Sequence, residues 1–434
     1  MEWLILGMFS ISLLICIILD MPILVALSFG LLLFLLYGRQ KGFSWRDLAG
    51  MAFDGIKTVS NILITFLLIG MMTAFWRASG TIAAIVCYAS GLIRPSVFLL
   101  MTFLLNSMIS VLTGTSFGTA ATMGVICTTM GNAMNVSPVL IGGAVLSGVF
   151  VGDRCSPVST SALLVAAVTD TDIYRNIRHM VHSALVPFIL TCFIYLMIGF
   201  RFSHTEVRID LEGIFSKAFV LHWVALLPAA VILLFSICRV NVRIAMAASI
   251  MSAVPLCLFL QKMSAVELLR VAVFGFCPTD ADVAVMISGG GIFSMFRVAG
   301  IVCLSSSYSG IFQKTGLLDR AKTGVLCAEK KTTAFIATLG TSFLACMIAC
   351  NQTLTILLAN QLCGDAYQDK EQLALDLEDS AVVISPLIPW SIAGGAPLST
   401  IGAPVAAVTA AFYLFLLPIW RSVQSWKMKN TSSL

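Results

Sequence analysis

The chain has 434 residues, of which 59% are hydrophobic and 11% charged, with a formal net charge of +5 at pH 7. Soluble domains carry about 25% charged residues because their surfaces face water. Too few charges are present here to cover a water-facing surface. The composition therefore excludes an ordinary soluble protein and indicates a lipid-embedded one, and the modest positive charge gives no reason to expect a nucleic-acid partner.

Long apolar segments recur along the chain and predict membrane-spanning helices, since a helix needs about 20 apolar residues to cross the hydrocarbon core. They lie at Trp3–Leu19, Ile23–Tyr37, Ile62–Trp76, Ser96–Leu112, Val181–Phe200, Phe219–Ile237, Ile244–Leu260, Thr332–Leu358 and Thr400–Ile419. A barrel would instead show short alternating segments. We therefore predict an all-α polytopic membrane protein with about ten to twelve transmembrane helices, counting half-helices and tilted spans.

The apolar segments and the stretches between them divide the chain into consecutive units. We expect N-terminal transmembrane helices over residues 1–50, a first repeat over 51–200, a connecting loop and helices over 201–280, a second repeat over 281–420, and a cytoplasmic tail over 421–434.

Clusters of Lys and Arg predict the orientation, because short cytoplasmic loops are enriched in these residues. Such clusters lie at Arg39–Arg46, Tyr174–Met180, Arg239 with Arg243, and Arg421–Lys429. We expect all of them inside the cell, with the N-terminus outside and the C-terminus cytoplasmic. The acidic stretch Gly364–Asp379 is expected to be a solvated loop.

Each half of the chain contains two small, polar interruptions. The first half has Leu112–Ala120 (LTGTSFGTA) and Gly152–Ser161 (GDRCSPVSTS), and the second has Ala349–Thr355 (ACNQTLT) and Ile384–Gly395 (ISPLIPWSIAGG). Backbone groups in lipid must be satisfied internally, so broken helices there are buried in protein or line a wet cavity. Paired breaks in two halves point to a binding site near the membrane midplane. We predict two inverted repeats with broken helices or re-entrant hairpins.

Small residues also allow close helix packing, and two positions are better explained that way. For Gly142 with Gly143, and for Ser147 with Gly148, we favour packing over a binding role.

Asp153 and Arg154 are charged residues between the apolar stretches Val139–Val151 and Ala162–Val168. A charge at the centre of a spanning helix costs about 2.5–3.5 kcal/mol, and such residues usually mark ion or proton pathways. A carboxylate at this depth in the membrane is suited to exchanging H⁺ for a metal ion. The alternative is an Asp153–Arg154 pair that neutralises itself and fixes a helix end.

Hydroxyl and carbonyl oxygens at the breaks suit a small cation, whereas half-helix N-termini favour an anion or carboxylate. The expected ion or substrate ligands are Asp153, Arg154, Ser156, Ser159, Thr160, Ser161, Thr113, Thr115, Ser116, Asn351, Gln352, Thr353, Ser385, Trp390 and Ser391.

Further acids are candidates for a proton path: Asp280, Asp282 and Glu378. Asp280 and Asp282 could equally cap the helix that follows them, since Asp is favoured there. The thirteen cysteines form no C-x-x-C pair, and no histidine lies near Cys346 and Cys350. We therefore expect no metal site and no cofactor.

Several of these segments together resemble the NhaC family of Na⁺/H⁺ antiporters. The resemblance lies in Thr113–Ala120 (TGTSFGTA), Gly152–Ser159 (GDRCSPVS), Ala166–Met180 and Ser385–Trp390 (SPLIPW). It implies a multi-pass protein of the cell (inner) membrane, in the ion transporter superfamily, that works by alternating access. It also implies that Asp153, Ser156, Ser159 and Thr115 lie near the ion path.

We therefore expect a secondary transporter, most simply an Na⁺/H⁺ antiporter, with Na⁺, H⁺ and the lipid bilayer as its partners. Where many family members have D-T-T-N after the Ser-Pro motif, this chain has Thr160–Leu163 (TSAL). Cation- or proton-coupled transport of an organic acid or amino acid thus remains the alternative, with Arg154 holding its carboxylate. No hydrolase, zinc-protease or P-loop motif is present, so we do not expect an enzyme. A homodimer is left open.

Overall fold

The chain is helical over nearly all of its described length. The computed structural model describes residues 2–19, 21–58, 60–90, 95–157, 159–202, 215–216, 218–238, 240–280, 283–284, 287–315 and 332–432. Within these ranges, the extended pairing is a single antiparallel bridge between Phe276 and Gly289. The prediction of an all-α protein is confirmed.

The N-terminal segment forms two apolar helices and an amphipathic one, α1 (Glu2–Ile18), α2 (Ile23–Gln40) and α3 (Trp45–Thr58). The backbone N–H of Asp47 donates to the Ser44 hydroxyl, and the backbone N–H of Ser44 donates to the Asp47 carboxylate, each at 3.2 Å. This reciprocal capping fixes the start of α3, because the first N–H groups of a helix have no partner within it.

The rest of the first half continues through helices that end and restart at the interruptions. In chain order they are α4 (Ser60–Ala78), α5 (Thr81–Ser90), α6 (Pro95–Thr113), α7 (Ser116–Thr119), α8 (Val125–Ala133), α9 (Pro138–Cys155), α10 (Thr160–Thr169) and α11 (Ile173–Phe202). A π-helical turn, Ala120–Gly124, joins α7 to α8.

The remaining helices cover the connection and the second half. They are α12 (Leu227–Ile237), α13 (Val242–Pro255), α14 (Ala265–Phe274), α15 (Phe296–Thr315), α16 (Ala334–Ala349), α17 (Gln352–Cys363), α18 (Lys370–Leu377), α19 (Ile392–Ile401) and α20 (Phe412–Ser432). Further π-helical turns follow α13 at Leu256–Leu260 and α18 at Glu378–Val382.

Several of the described helices are long and apolar enough to cross a membrane. They are Ile23–Gln40, Pro95–Thr113, Pro138–Cys155, Ile173–Arg201 and Arg243–Leu260. Lys370–Leu387 with Ile392–Ile401 passes the same test as one span bent by 51°. Shorter apolar helices of 10–17 residues include Thr160–Thr169 and Ala334–Met347. The polytopic helical membrane fold is confirmed, and the count of ten to twelve crossings stays a prediction.

The two halves share one order of helices and breaks. In each, a long helix (α6 or α16) is followed by a break, and a second break precedes a half-helix (α10 or α19) and then a long helix (α11 or α20). Side chains at the breaks cap the helices that follow: Thr115, Ser159, Asn351 and Ser391 each accept from a backbone N–H of the first turn. Such caps satisfy N–H groups that would otherwise be unpaired away from water.

One apolar segment is divided where its hydropathy suggested a continuous run. Within Thr400–Ile419, α19 ends at Ile401, and Gly402 adopts the left-handed region with φ 70°. A 3₁₀ turn, Val405–Ala410, then precedes α20. Pro404 explains the stop, because proline cannot continue the hydrogen bonding of a preceding helix.

Small residues bring α9 against its neighbours. A Cβ added at Gly148 would lie 2.7 Å from the Phe103 carbonyl oxygen of α6, and one added at Gly143 would lie 2.5 Å from the Ala410 backbone. Neither position has room for a side chain, so the expected packing role of these glycines is confirmed. The close approach holds the end of α9, and Asp153 with it, beside the breaks.

Candidate functional site

Asp153 lies where broken helices from the two halves of the chain meet. It occupies the last turn of α9 and is only 3% exposed. Its Oδ2 accepts hydrogen bonds from Gln352 Nε2 at 3.0 Å and from Ser161 Oγ at 3.2 Å. Ser116, the first residue of α7, also lies beside this carboxylate. These predicted residues therefore form one cluster, with contributions from both halves.

Two half-helices begin beside this carboxylate. Helix α10 packs against α17, and each starts at or next to a residue that donates to Asp153. The N-terminus of a helix carries partial positive charge, which favours a nearby anion. Among the described residues, the groups around Asp153 are thus neutral donors and helix N-termini rather than a cationic side chain.

The hydroxyls of the first Ser-Pro break mainly fix its backbone. Ser159 caps α10 and donates to the Asp153 carbonyl, and the Ser161 hydroxyl lies 2.6 Å from the same oxygen. Ser156 donates to the Val111 carbonyl at 2.7 Å. Ser161 also reaches the Asp153 carboxylate, so it joins the carboxylate to the break.

Arg154 pairs with the second half of the chain. Its Nη2 donates to Asp379 Oδ1 and, at 2.7 Å, to Ser183 Oγ. Its Nη1 donates to the Met180 carbonyl at 3.0 Å. The salt bridge to Asp379 is fully buried. The alternative in which Arg154 neutralises the adjacent Asp153 is therefore wrong, because the guanidinium is directed to a partner on another element.

A second buried ion pair lies next to this one. Arg421 Nε donates to Asp376 Oδ1 at 2.9 Å, and Tyr367 donates to Asp376 Oδ2 at 3.0 Å. Arg421 Nε also lies 3.9 Å from Asp379 Oδ2. Arg421, expected at the start of an aqueous tail, is only 5% exposed within α20.

Glu378 lies among these charges without a hydrogen bond. It is fully buried, and neither carboxylate oxygen has a donor among the described residues. The charges of Arg154, Asp153 and Asp379 act on it. Glu378 therefore lies in one buried centre with Asp153, Arg154, Asp376, Asp379 and Arg421. A residue on a proton path would have to lie there.

The remaining predicted residues of the first interruption support its turn. Thr115 caps α7 by accepting from the Gly118 N–H at 3.3 Å, and the hydroxyls of Thr113 and Thr119 are 2.9 Å apart. In the matching break of the second half, Asn351 caps α17 by accepting from the Leu354 N–H at 2.8 Å.

The second Ser-Pro break is held by its own contacts. Ser385 donates to the Ala381 carbonyl at 2.6 Å, and Trp390 Nε1 donates to the Met347 carbonyl at 3.0 Å. Ser391 caps α19. These side chains are buried, and the hydrogen bonds named here for them stay within the second half.

Other predicted residues lie elsewhere or outside the described part of the chain. Thr160 and Thr353 are exposed. Asp280 accepts from the Val283 N–H at 3.2 Å, which agrees with the capping alternative. Asp282 lies outside the described residues.

Apart from Glu378, the acidic stretch Gly364–Asp379 is the part of the site that sequence reasoning missed. It was expected to be a solvated loop, but Asp376 and Asp379 are almost fully buried. They are three residues apart, which places side chains on one face of a helix. That spacing is the one local feature of the sequence that could have indicated their burial. Their partners, Arg154 and Arg421, lie far away along the chain.

Comparisons with known proteins agree on one family. The model of the Na⁺/H⁺ antiporter family matches residues 1–169 and 148–420. The chain is 27% identical to the Malate-2H(+)/Na(+)-lactate antiporter of Bacillus subtilis, over 86% of this chain and 82% of that protein. It is also 27% identical to the Na(+)/H(+) antiporter NhaC of Alkalihalophilus pseudofirmus, over 89% and 86%. The Arginine/ornithine antiporter ArcD of Halobacterium salinarum is 26% identical, over 89% and 83%.

Proposed function

The chain belongs to the Na⁺/H⁺ antiporter family, and from that membership we propose that it exchanges Na⁺ for H⁺ at Asp153 by alternating access. The observation that carries the proposal is the carboxylate of Asp153, which is buried, bonded to neutral donors and shared between the two halves. An uncompensated carboxylate away from water favours binding a positive charge. Na⁺ and H⁺ would compete for it.

The surroundings of Asp153 suit a small, hard cation. Such cations take carboxylate, carbonyl and hydroxyl oxygens as ligands. We propose that the Asp153 carboxylate binds Na⁺ with the hydroxyls of Ser161 and Ser116. Both serines are buried, and the Ser161 hydroxyl already lies 3.2 Å from Asp153 Oδ2.

Alternating access follows from the way the site is divided. Asp153 and Ser161 belong to the first half, whereas Gln352 belongs to the second. A rocking motion of one half against the other would change which side of the membrane reaches the carboxylate, as expected for transporters built from repeats.

The test is ion exchange in liposomes loaded with a pH-sensitive dye. Under an imposed pH gradient, we expect Na⁺ to dissipate the gradient with wild-type protein and not with Asp153→Asn. Asp170→Asn is the matched control, because Asp170 is highly exposed and has φ 55°, which Asn tolerates. We expect this control to exchange like wild type.

Two results would contradict the proposal in different ways. Exchange at the wild-type rate by a folded Asp153→Asn variant would remove Asp153 from the ion site. A wild-type protein that responds to none of Na⁺, Li⁺ and K⁺ would argue against Na⁺/H⁺ exchange itself.

Coupled transport of an organic acid or amino acid is the second candidate, because relatives named for lactate and malate or for arginine and ornithine match most of the chain. The site supports it less well. The Arg154 guanidinium is already committed to Asp379, Ser183 and the Met180 carbonyl, and so is poorly placed to hold a substrate carboxylate. Adding these compounds to the liposome assay tests it. Proton flux that requires one of them besides Na⁺ would favour this candidate.

We also propose the expected placement in the cell membrane, with the N-terminus outside and the C-terminus in the cytoplasm. The clusters of Lys and Arg in the loops support it. Assembly as a homodimer stays a prediction.

A further inference from the structure

Glu378 is a buried acid that the exchange of ions at Asp153 alone does not use. It opens the π-helical turn Glu378–Val382, it is fully buried, and none of the described residues donates a hydrogen bond to it. Buried polar side chains nearly always have a partner, so an unpaired carboxylate needs another explanation. π-helical turns are also frequent at functional sites.

The two arginines near Glu378 each form a salt bridge with another carboxylate, so Glu378 has no salt bridge of its own among the described residues. Arg154 pairs with Asp379, and Arg421 pairs with Asp376 at 2.9 Å. Both arginines of the centre thus have a carboxylate of their own. Arg154 still attracts Glu378 from nearby, but the donors of its two terminal nitrogens go to other acceptors.

Glu378 and Asp153 differ in what surrounds their carboxylates. Asp153 has hydrogen bonds from Gln352 and Ser161, and these would stabilise its charged form. Glu378 has no comparable donor among the described residues, so its charged form would be costly. A metal ion needs several oxygen ligands, whereas a proton needs a single oxygen. A proton is the occupant that these surroundings suit.

Building on the proposed Na⁺/H⁺ exchange, we propose that Glu378 is a second proton-carrying residue, distinct from Asp153, that loads and releases its proton once in each transport cycle. On release, the O–H bond of the carboxyl group breaks and the proton passes to water in the path.

Arg154 is placed to compensate the carboxylate that remains. Its Nε has no acceptor among the described residues, and the Glu378 carboxylate has no donor among them. A turn of the guanidinium towards Glu378 would weaken its bond to Asp379, which joins the two halves. Proton release would thereby be linked to a change in the contact between the halves.

The test measures how many protons are exchanged for each Na⁺ in liposomes whose membrane potential is clamped with K⁺ and valinomycin. The ratio follows from the ion gradients at which net flux reverses. We expect the ratio for Glu378→Gln to be lower than for wild type by about one proton per Na⁺, with a correspondingly weaker effect of voltage. Glu378→Asp keeps an exchangeable acid and should keep the wild-type ratio. Glu371→Gln, a change at an acid of α18 outside the buried centre, is the matched control.

Each outcome supports or contradicts the proposed role of Glu378. A folded Glu378→Gln variant that exchanges with the wild-type ratio would overturn the proposal, as would a wild-type ratio of one proton per Na⁺. Loss of exchange in Glu378→Gln, beside a wild-type ratio in Glu378→Asp, would show that the acid is required and would support it. Loss of exchange in both variants would indicate a structural role and overturn it. A wild-type protein without any exchange would instead contradict the proposed function on which this inference rests.

Discussion

Arg154 is the residue at which the two halves of the chain are joined by charge. Its guanidinium, at the end of α9, bonds to Asp379 beyond the end of α18, and both side chains are fully buried. Removing one partner of a buried ion pair costs about 3–5 kcal/mol, because the other charge is left unpaired. Replacing both partners by apolar side chains is often close to neutral. Comparing the removal of one partner with the replacement of both therefore separates the cost of an unpaired charge from the net contribution of the pair to stability.

We predict that Arg154→Met lowers the free energy of unfolding by about 3–5 kcal/mol. The double variant Arg154→Met/Asp379→Leu should recover most of this loss, since no unpaired charge then remains. Thermal unfolding in detergent, followed by intrinsic fluorescence, checks the order of the two midpoints. Equal midpoints for the single and double variants would mean that Asp379 is not left uncompensated when Arg154 is removed.

At the scale of elements, the contact between α6 and α9 sets the position of the ion site. A Cβ added at Gly152 would lie 2.0 Å from the Ser110 carbonyl carbon. Backbone atoms cannot move aside as a flexible side chain can, so the two helices would have to separate. Asp153 is the next residue, and its position would change with them.

We predict that Gly152→Ala destabilises the protein by about 1–3 kcal/mol, as overpacking of a dense interface does. It should also slow exchange in the liposome assay, because Asp153 is displaced. Gly340→Ala is the control, since Gly340 lies within α16 with open space around it. There alanine should raise stability by up to about 1 kcal/mol through its higher helix propensity. A Gly152→Ala variant as stable and active as Gly340→Ala would contradict this account of the interface.

The sequence was sufficient to predict the helical class and the breaks, and it singled out Asp153, Ser161 and Gln352, which the structure brings together. Glycine, proline and serine interrupt apolar helices visibly, and an acid such as Asp153 stands out between apolar stretches. Hydropathy alone did not reveal that Thr400–Ile419 is divided, because Gly402 and Pro404 lie among residues that are apolar on both sides.

The charged partners of the site were not predictable in the same way. Asp376 and Asp379 lie in a stretch rich in acids, which by composition resembles a solvated loop. Their burial depends on Arg154 and Arg421, which reach them only through the tertiary fold. Local patterns carry no information on such distant pairs, so the buried centre became apparent only from the structure.

At the scale of the whole molecule, orientation depends on how many helices cross before the first basic loop. Helix α2 is long and apolar enough to span, and the short loop after it is flanked by Arg39 in the last turn of α2 and Arg46 in the first turn of α3. With one crossing, an external N-terminus places this loop in the cytoplasm. If α1 also crosses, as expected from the apolar segment Trp3–Leu19, the N-terminus and the loop lie on the same side, so an external N-terminus requires that α1 does not cross.

We predict that a cysteine introduced as Arg46→Cys reacts with a membrane-impermeant thiol reagent only from the cytoplasmic side, because basic loops are retained there. A cysteine in an N-terminal tag should react only from outside. The exposed cysteines Cys238 and Cys277, together with Cys327, which lies outside the described residues, are first replaced by serine, so that they do not contribute to the signal. Labelling of sealed vesicles of known orientation gives the measurement. Reaction of both sites from one side would contradict the proposed placement of the N-terminus.

Neither half of the chain contains the complete cluster around Asp153. The carboxylate is on α9, and the amide of Gln352 that bonds to it is on α17. The first half on its own would hold a buried acid without this donor and a buried Arg154 without its carboxylate. If both halves descend from one duplicated gene, the ancestral product would have needed a second copy of itself to complete these contacts. Gene fusion would then have allowed the two copies to diverge, so that one now supplies Asp153 and the other Glu378.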